Sequence, residues 1–145
     1  RTRLWAARHD AYYAQMHLRP GAKGYVTDAC VPISRLAEAI AETEADLADS
    51  PLIAPLVGHA GEGNFHLAIL IDPDDPSEKA EADRIAGRIS ERALRLGGTV
   101  TGEHGVGIGK RGYMEAEHGE AWAMMGRIKQ CLDPAGLMNP GKLVP

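Results

Sequence analysis

Apolar positions recur along the chain with two periods, one near 3.6 residues and one of two, and stretches of each kind alternate. Residues 1–18 read as a helix with Leu4, Arg8 and Tyr12 on one stripe, ended by Pro20–Gly21. Residues 24–31 form a short β-rich run closed by Pro32. Residues 33–48 place Ile33, Leu36, Ile40 and Leu47 on one helical stripe, and Asp49–Ser50–Pro51 stops it. Residues 52–58 and 65–71 read as two strands joined by a glycine-rich turn, the second with Phe65, Leu67, Ile69 and Ile71 on one face. The clearest helix start follows: Asp75 as cap, Pro76 at the first helical position and Glu78 at the third. Ala82, Ile85, Ala86, Ile89, Ala93 and Leu96 form its buried stripe, and Gly97–Gly98 ends it. A brief strand over Thr99–Thr101 comes next. Residues 113–132 read as helical with a break near Gly119 and a stripe of Ala121, Met125, Ile128 and Leu132; Asp133–Pro134 stops them, and the tail is irregular.

This order (helix, β-α-β, β-α-β, helix) predicts an α+β fold. Tight spacing between the second and third strands makes the sheet antiparallel, with helices on one face. That is a ferredoxin-like βαββαβ layout with C-terminal helices added. Composition agrees with a single domain over 1–145: 44% of the 145 residues are hydrophobic, enough for a core, and 25% are charged. A net charge of −4 excludes disorder by self-repulsion and gives no broad attraction to nucleic acid. No run of 18 apolar residues and no signal-peptide core occurs. Cys30 and Cys131 are isolated, which excludes a disulfide framework and suggests a reducing compartment. Leu4–Trp5–Ala6–Ala7–Arg8 already reads as helix interior without an opening cap, as expected for a piece of a longer chain.

Glycine is abundant, at 17 residues, and much of it falls in two clusters that also hold the candidate chemistry. The first is Gly58–His59–Ala60–Gly61–Glu62–Gly63–Asn64–Phe65–His66. If His59 and His66 face each other across the turn, their Cβ atoms lie roughly 4.5–5.5 Å apart. One metal ion could then bridge them at about 2.0–2.1 Å per nitrogen. A plain hairpin with two incidental histidines satisfies the same pattern, although Glu62 and Asn64 add polarity that such a hairpin does not need. The second cluster, residues 101–111, carries Glu103 and His104 side by side between glycines. Neighbouring side chains in an extended segment point opposite ways, so one could ligate a metal while the other faces a substrate. Glu103 would complete a two-His, one-carboxylate set with an open coordination position. An imidazole outside that set, His104, would suit a general base, because this side chain type titrates near neutral pH. A flexible surface loop with a solvated Glu–His pair fits the same residues.

Two look-alikes fail. Residues 107–112 match GxGxxG, but no apolar parallel strand leads in and no acidic ribose partner follows. Residues 105–111 resemble a P-loop one residue short, with Arg111 in place of Ser or Thr. Lys110 and Arg111 could hold an anion or simply open a solvated helix. Arg8 is either a bidentate carboxylate clamp or a surface arginine paired locally. His9, His17 and His118 lack supporting neighbours and read as surface residues, Trp5 and Trp122 as core, and Asn139–Pro140–Gly141–Lys142 as a rigid turn.

Four stretches together resemble one family: Thr27–Asp28–Ala29–Cys30–Val31–Pro32–Ile33–Ser34, Gly58 to His66, Gly102–Glu103–His104–Gly105–Val106–Gly107, and Asp133 to Lys142. They are similar to the C-terminal (cap, or substrate) domain of FAD-linked oxidases of the vanillyl-alcohol-oxidase type. The nearest branches are the D-lactate dehydrogenases, with glycolate oxidase and D-2-hydroxyglutarate dehydrogenase beside them. The resemblance implies oxidation of a D-2-hydroxy acid to a 2-keto acid, with FAD bound mainly by an N-terminal domain that this stretch lacks. It implies that His59, His66 and Glu103 are ligands of a divalent metal, zinc or manganese. By the same resemblance His104 is the base, Arg8 grips the substrate carboxylate, and Asn139 lies in the stretch returning toward the flavin. Glu62 stands where the family usually has Asp; Ala68 and Val26 stand where relatives place polar groups near the substrate, which points to a small or apolar-tailed acid such as lactate. The expected partners are that acid, the chain's own FAD-binding domain and an electron acceptor of unknown identity, with no nucleic acid and a homodimer left open. The expected location is cytoplasmic, with room for peripheral attachment to an inner membrane. The isolated chain is expected to be inactive. A metal-dependent hydrolase using the same His/His/Glu set and a non-catalytic ferredoxin-like binding module are the alternatives.

Overall fold

The computed structural model describes residues 2–144, with side chains from Trp5 onward. The Leu4 side chain, first member of the expected stripe, lies outside the described residues. The helix itself, α1, runs Thr2–Met16. The sheet is built around one long strand. β4 (Asn64–Ile71) is buried at every position and pairs antiparallel on both sides. On one side lies β3 (Leu56–His59), extended by a bridge from Ile53 to Leu70. On the other lie β1 (Lys23–Val26) and β2 (Ala29–Cys30), which hold one register along β4 and are separated only by Thr27 and Asp28. A single antiparallel bridge, Cys30 to Thr99, extends the far edge. The expected last strand is reduced to that bridge, yet it completes the ferredoxin-like order of an antiparallel α+β sheet.

Period-two alternation decides which face of β4 is greasy. Phe65, Leu67, Ile69 and Ile71 point toward α2 (Leu36–Ala48) and α3 (Pro76–Arg95). Five of the six residues of the α3 stripe are buried as expected, with Ala82, Ile85, Ile89, Ala93 and Leu96 all at most 5% exposed, while Ala86 at the edge of the stripe is half-buried. Its cap also forms: Asp75 Oδ1 accepts from the backbone N–H of Ser77 (2.8 Å) and Glu78 (3.4 Å). In α2 the buried residues are Ala39 and Thr43, while Ile33 is 60% exposed. Residues 33–35 form a 3₁₀ turn, and three residues per turn put Ile33 out of phase with the α-helix that follows. Between the two helices, buried Arg92 donates to Thr43 Oγ1 (3.0 Å), Glu42 Oε2 (2.9 Å) and Asp46 Oδ2.

The other face of β4 is partly covered by α1. Arg19, just beyond that helix, donates to Glu78 through both nitrogens (2.6 and 3.0 Å) and to the Leu70 carbonyl (3.1 Å). The C-terminal helices α4 (Met114–His118) and α5 (Glu120–Leu132) break at Gly119, whose φ is +53°. Neither tryptophan joins the core: Trp5 is 51% exposed, and Trp122 is half-buried with its indole N–H donating to the Leu143 carbonyl (2.9 Å). Both sit on terminal helices, whereas the core is filled by β4, α2 and α3.

Candidate metal and catalytic site

The site grows from the face of β4 that the helices α2 and α3 do not cover. His59 pairs with Asn64 and Val57 with His66, so the two histidines share a face as diagonal neighbours rather than opposed residues. Their ring centroids still lie 5.5 Å apart, edge to face, because imidazole side chains bridge the longer diagonal.

Thr27 and Asp28 interrupt the neighbouring strand with consequences for His66. The Thr27 backbone N–H keeps its ladder bond to the Leu67 carbonyl (2.9 Å). Thr27 Oγ1, not its carbonyl, accepts from the Leu67 N–H (2.9 Å). The freed Thr27 carbonyl lies 3.2 Å from His66 Nδ1. A carbonyl only accepts, so Nδ1 carries a ring proton, and in the neutral imidazole Nε2 keeps its lone pair. Asp28, 3% exposed, lies opposite His66 in the continuing register, with Oδ1 3.5 Å from Nδ1.

The loop after Thr99 closes over this face. Thr101 Oγ1 (3.3 Å) and the backbone N–H groups of Glu103 (3.0 Å) and His104 (2.9 Å) all donate to Asp28 Oδ2. Burial alone would raise the Asp28 carboxyl; the two backbone N–H donors and the Lys110 ammonium outweigh it and hold the group below the usual aspartate range. Gly102 lies where a Cβ would come within 2.4 Å of the Asn64 side chain, so the loop approaches this closely only without one. Glu103 Oε1 thereby reaches 3.2 Å from His66 Nε2 and 3.4 Å from His59 Nε2. The His104 ring stacks on His66 at 5.0 Å between centroids, and its Nε2 is 3.8 Å from Glu103 Oε1. Arg8, from α1, donates through Nη2 to His59 Nδ1 (3.3 Å).

Five of the six residues singled out in the sequence therefore meet. Asn139 does not: it sits at a positive φ of 45° in the C-terminal turn and lines a separate cavity of about 650 Å³ beside α5. Lys110 and Arg111 both contact backbone carbonyls of this chain. Lys110 Nζ donates to the Asp28 and Val100 carbonyls, and Arg111 Nη1 donates to the Gly141 carbonyl (2.9 Å). His9 and His17 are exposed, and His118 is half-buried beside Glu117 (3.6 Å). The sequence reasoning passed over Asp28 as a working residue. Its signal was a polar pair, Thr27–Asp28, inside an otherwise β-rich run, where aspartate is disfavoured.

The donor set fits a divalent cation. His59, His66 and Glu103 each offer a ligand atom, all within 4.8 Å of one another. His66 Nε2 is buried with no hydrogen-bond partner. It faces the Glu103 carboxylate, an arrangement that either a cation between a neutral ring and the carboxylate or a proton on Nε2 would satisfy. His59 needs one adjustment. A guanidinium only donates, so its contact with Nδ1 leaves the His59 proton on Nε2. Ligation through Nε2 would return that proton to Nδ1 and end the Arg8 contact. Beside these groups is a pocket of about 170 Å³, with Val26, Val57 and Ala68 as its apolar wall and Tyr12 and Gln15 on the α1 side.

The chain matches the family model described as FAD linked oxidases, C-terminal domain, over residues 1–143. It is 52% identical over 145 residues to a protein of Danio rerio named probable D-lactate dehydrogenase, mitochondrial, covering 99% of this chain and 29% of that protein. Against D-lactate dehydrogenase [cytochrome], mitochondrial, of Arabidopsis thaliana it is 46% identical over 143 residues, covering 98% and 25%. Against the glycolate oxidase subunit GlcD of Escherichia coli it is 36% identical over 147 residues, covering 100% and 29%. The chain thus spans less than a third of the length of these relatives. Two of the names place those proteins in mitochondria, which gives no support to a cytoplasmic location here. Among the described residues no helix is long and apolar enough to cross a membrane.

Proposed function

The chain belongs to the FAD-linked oxidases as their C-terminal domain, and on that footing we propose that it forms the substrate side of an FAD-dependent D-2-hydroxy-acid dehydrogenase. The observation that carries this reading is the meeting of Glu103 Oε1 with His66 Nε2 (3.2 Å) and His59 Nε2 (3.4 Å). These three residues would hold zinc or manganese. When bound, the cation lowers the pKa of an α-hydroxyl and FAD, held mainly by a separate N-terminal domain, accepts a hydride.

The remaining work falls to side chains of this chain. His104 Nε2 takes the hydroxyl proton; stacking on His66 steadies its ring, and its half-exposed side chain leaves the substrate room to approach. Arg8 leaves His59 and grips the substrate carboxylate with its planar fork. Val26, Val57 and Ala68 receive a small apolar tail and offer no partner to a second carboxylate, which favours a D-lactate-like acid. Asn139 serves the flavin side from the cavity beside α5.

The test is D-lactate-dependent dye reduction by the full-length enzyme that carries this domain. His104→Ala should lower kcat about 10²- to 10⁴-fold with metal content unchanged. His59→Ala should lose the metal. Near-normal turnover in the first variant, or full metal content in the second, overturns the corresponding assignment. Metal-dependent ester or peptide hydrolysis without dye reduction overturns the reaction class.

A further inference from the structure

We propose that Asp28 is the positioning residue that assembles this site: one buried carboxylate docks the 101–104 loop onto the interrupted strand and orients the His66 ring. The inference rests on the reading of His59, His66 and Glu103 as metal ligands, but its evidence is separate. Asp28 touches both halves of the site at once. Its Oδ2 receives two consecutive backbone N–H groups, those of Glu103 and His104, together with the Thr101 hydroxyl. Among the described residues no other hydrogen bond joins the backbone of residues 102–105 to the rest of the chain. Its other oxygen, Oδ1, is buried without a hydrogen-bond partner and is aimed at His66 Nδ1 from 3.5 Å.

A carboxylate clamped on two successive amides fixes the direction in which both residues send their side chains. With the loop held there, Glu103 points at the two hairpin histidines and His104 lies flat over His66. The Oδ1 contact adds a second constraint. Metal-binding imidazoles are ordinarily held by a hydrogen bond from the other ring nitrogen to a carbonyl or carboxylate, which sets tautomer and ring plane. His66 has the Thr27 carbonyl at 3.2 Å and the Asp28 carboxylate at 3.5 Å on that nitrogen. Asp28 Oδ1 lies on the Nδ1 side of His66, where it forms a second group of ligand-type atoms with His66 and His104, whereas Glu103 meets the Nε2 side. Asp28 acts through its neighbours rather than on the substrate.

The experiment uses the full-length enzyme stripped by a chelator, with Mn²⁺ as the probe. Free and bound Mn²⁺ are separated by electron paramagnetic resonance, and hydrogen exchange is followed on the peptide spanning residues 101–106. Asp28→Ala is expected to weaken Mn²⁺ binding about 10- to 100-fold and to abolish the slow exchange of the Glu103 and His104 amides. Asp28→Asn keeps an acceptor for those amides but lacks the charge. It should retain part of the protection and still bind Mn²⁺ several-fold more weakly. Ile89→Ala, a change in the α3 core, should lower the unfolding midpoint without moving either readout, which separates positioning from general stability. If Asp28→Ala does not fold, Asp28→Asn carries the test. Wild-type Mn²⁺ affinity in a folded Asp28 variant, or unchanged exchange over 101–106, overturns the inference while leaving the metal reading intact. Failure of the parent enzyme to bind Mn²⁺, with amide protection still lost in Asp28→Ala, overturns the metal reading and upholds the docking role.

Discussion

The two faces of β4 are equally buried and differently made. Phe65, Leu67, Ile69 and Ile71 meet α2 and α3 through apolar contact alone. Asn64, His66 and Ala68 on the reverse meet a loop, a hairpin partner and α1; His66 is held by the Thr27 carbonyl, while Asn64 Oδ1 is buried without a hydrogen-bond partner. On the first face, fit and volume decide the outcome. On the second, burial is tolerated only because Thr27, Asp28 and Glu103 are placed to answer His66, and one of its nitrogens is left without a hydrogen-bond partner. Polarity sealed inside a protein without a full set of partners calls for an explanation, such as an ordered water, an ion or a catalytic role.

Substitutions can break this contrast. The largest effect belongs to the apolar face: Phe65→Ala should cost roughly 4 kcal/mol of stability by denaturant unfolding, because a fully buried ring leaves a cavity. If metal binding falls in the same variant while it remains folded, the faces are not separable. Next, His66→Ala should reduce metal affinity by more than about 100-fold, yet destabilise the metal-free protein by only about 1–2 kcal/mol. A stability loss as large as that of Phe65→Ala would make His66 a core residue and nothing more. Arg8→Ala should raise KM for the hydroxy acid while leaving metal affinity at least as high as in the parent, since it removes a competitor for His59 Nδ1. Weaker metal binding there would contradict the tautomer argument. The smallest effect concerns a third surface. Ile128→Ser on α5, at 54% exposure, should change the stability of this chain by no more than about 0.5 kcal/mol.

That last residue also marks a limit of sequence reading. The stripes of α3 and α5 look alike on paper, but Ile85 and Ile89 are at most 2% exposed while Ile128 and Leu132 stand 54% and 74% exposed. Periodicity identifies an apolar face and says nothing of what lies against it. Local signals fared better where the physics is local: the Asp75–Pro76 helix start and the alternation along β4 both depend on adjacent residues, and both formed. Residue type and glycine-rich turns make His59, His66 and Glu103 a candidate set but leave a plain hairpin and a solvated loop pair open; the family resemblance singles the set out. Their diagonal geometry is not legible, because it follows from strand register. The role of Asp28 was hidden for a further reason: its partners are 75 and 76 positions away along the chain, and no local pattern reports such a meeting. Ile33 was misjudged by a change of helical pitch within its own turn.

One missing carbon at residue 102 sets how far this domain can vary. A Cβ there would sit 2.4 Å from the side-chain amide of Asn64, a residue 4% exposed, against ordinary contact from about 3.4 Å. Alanine there requires either that the Asn64 amide turn aside or that the loop move outward by about 1 Å, the difference of those distances, and the second outcome carries Glu103 away from both imidazoles. Misplacements of that size can cost an enzyme about 100-fold in rate. The closeness of that approach ties the placement of Glu103 to the side chain of residue 64, a link that no local pattern in the 101–104 loop reports.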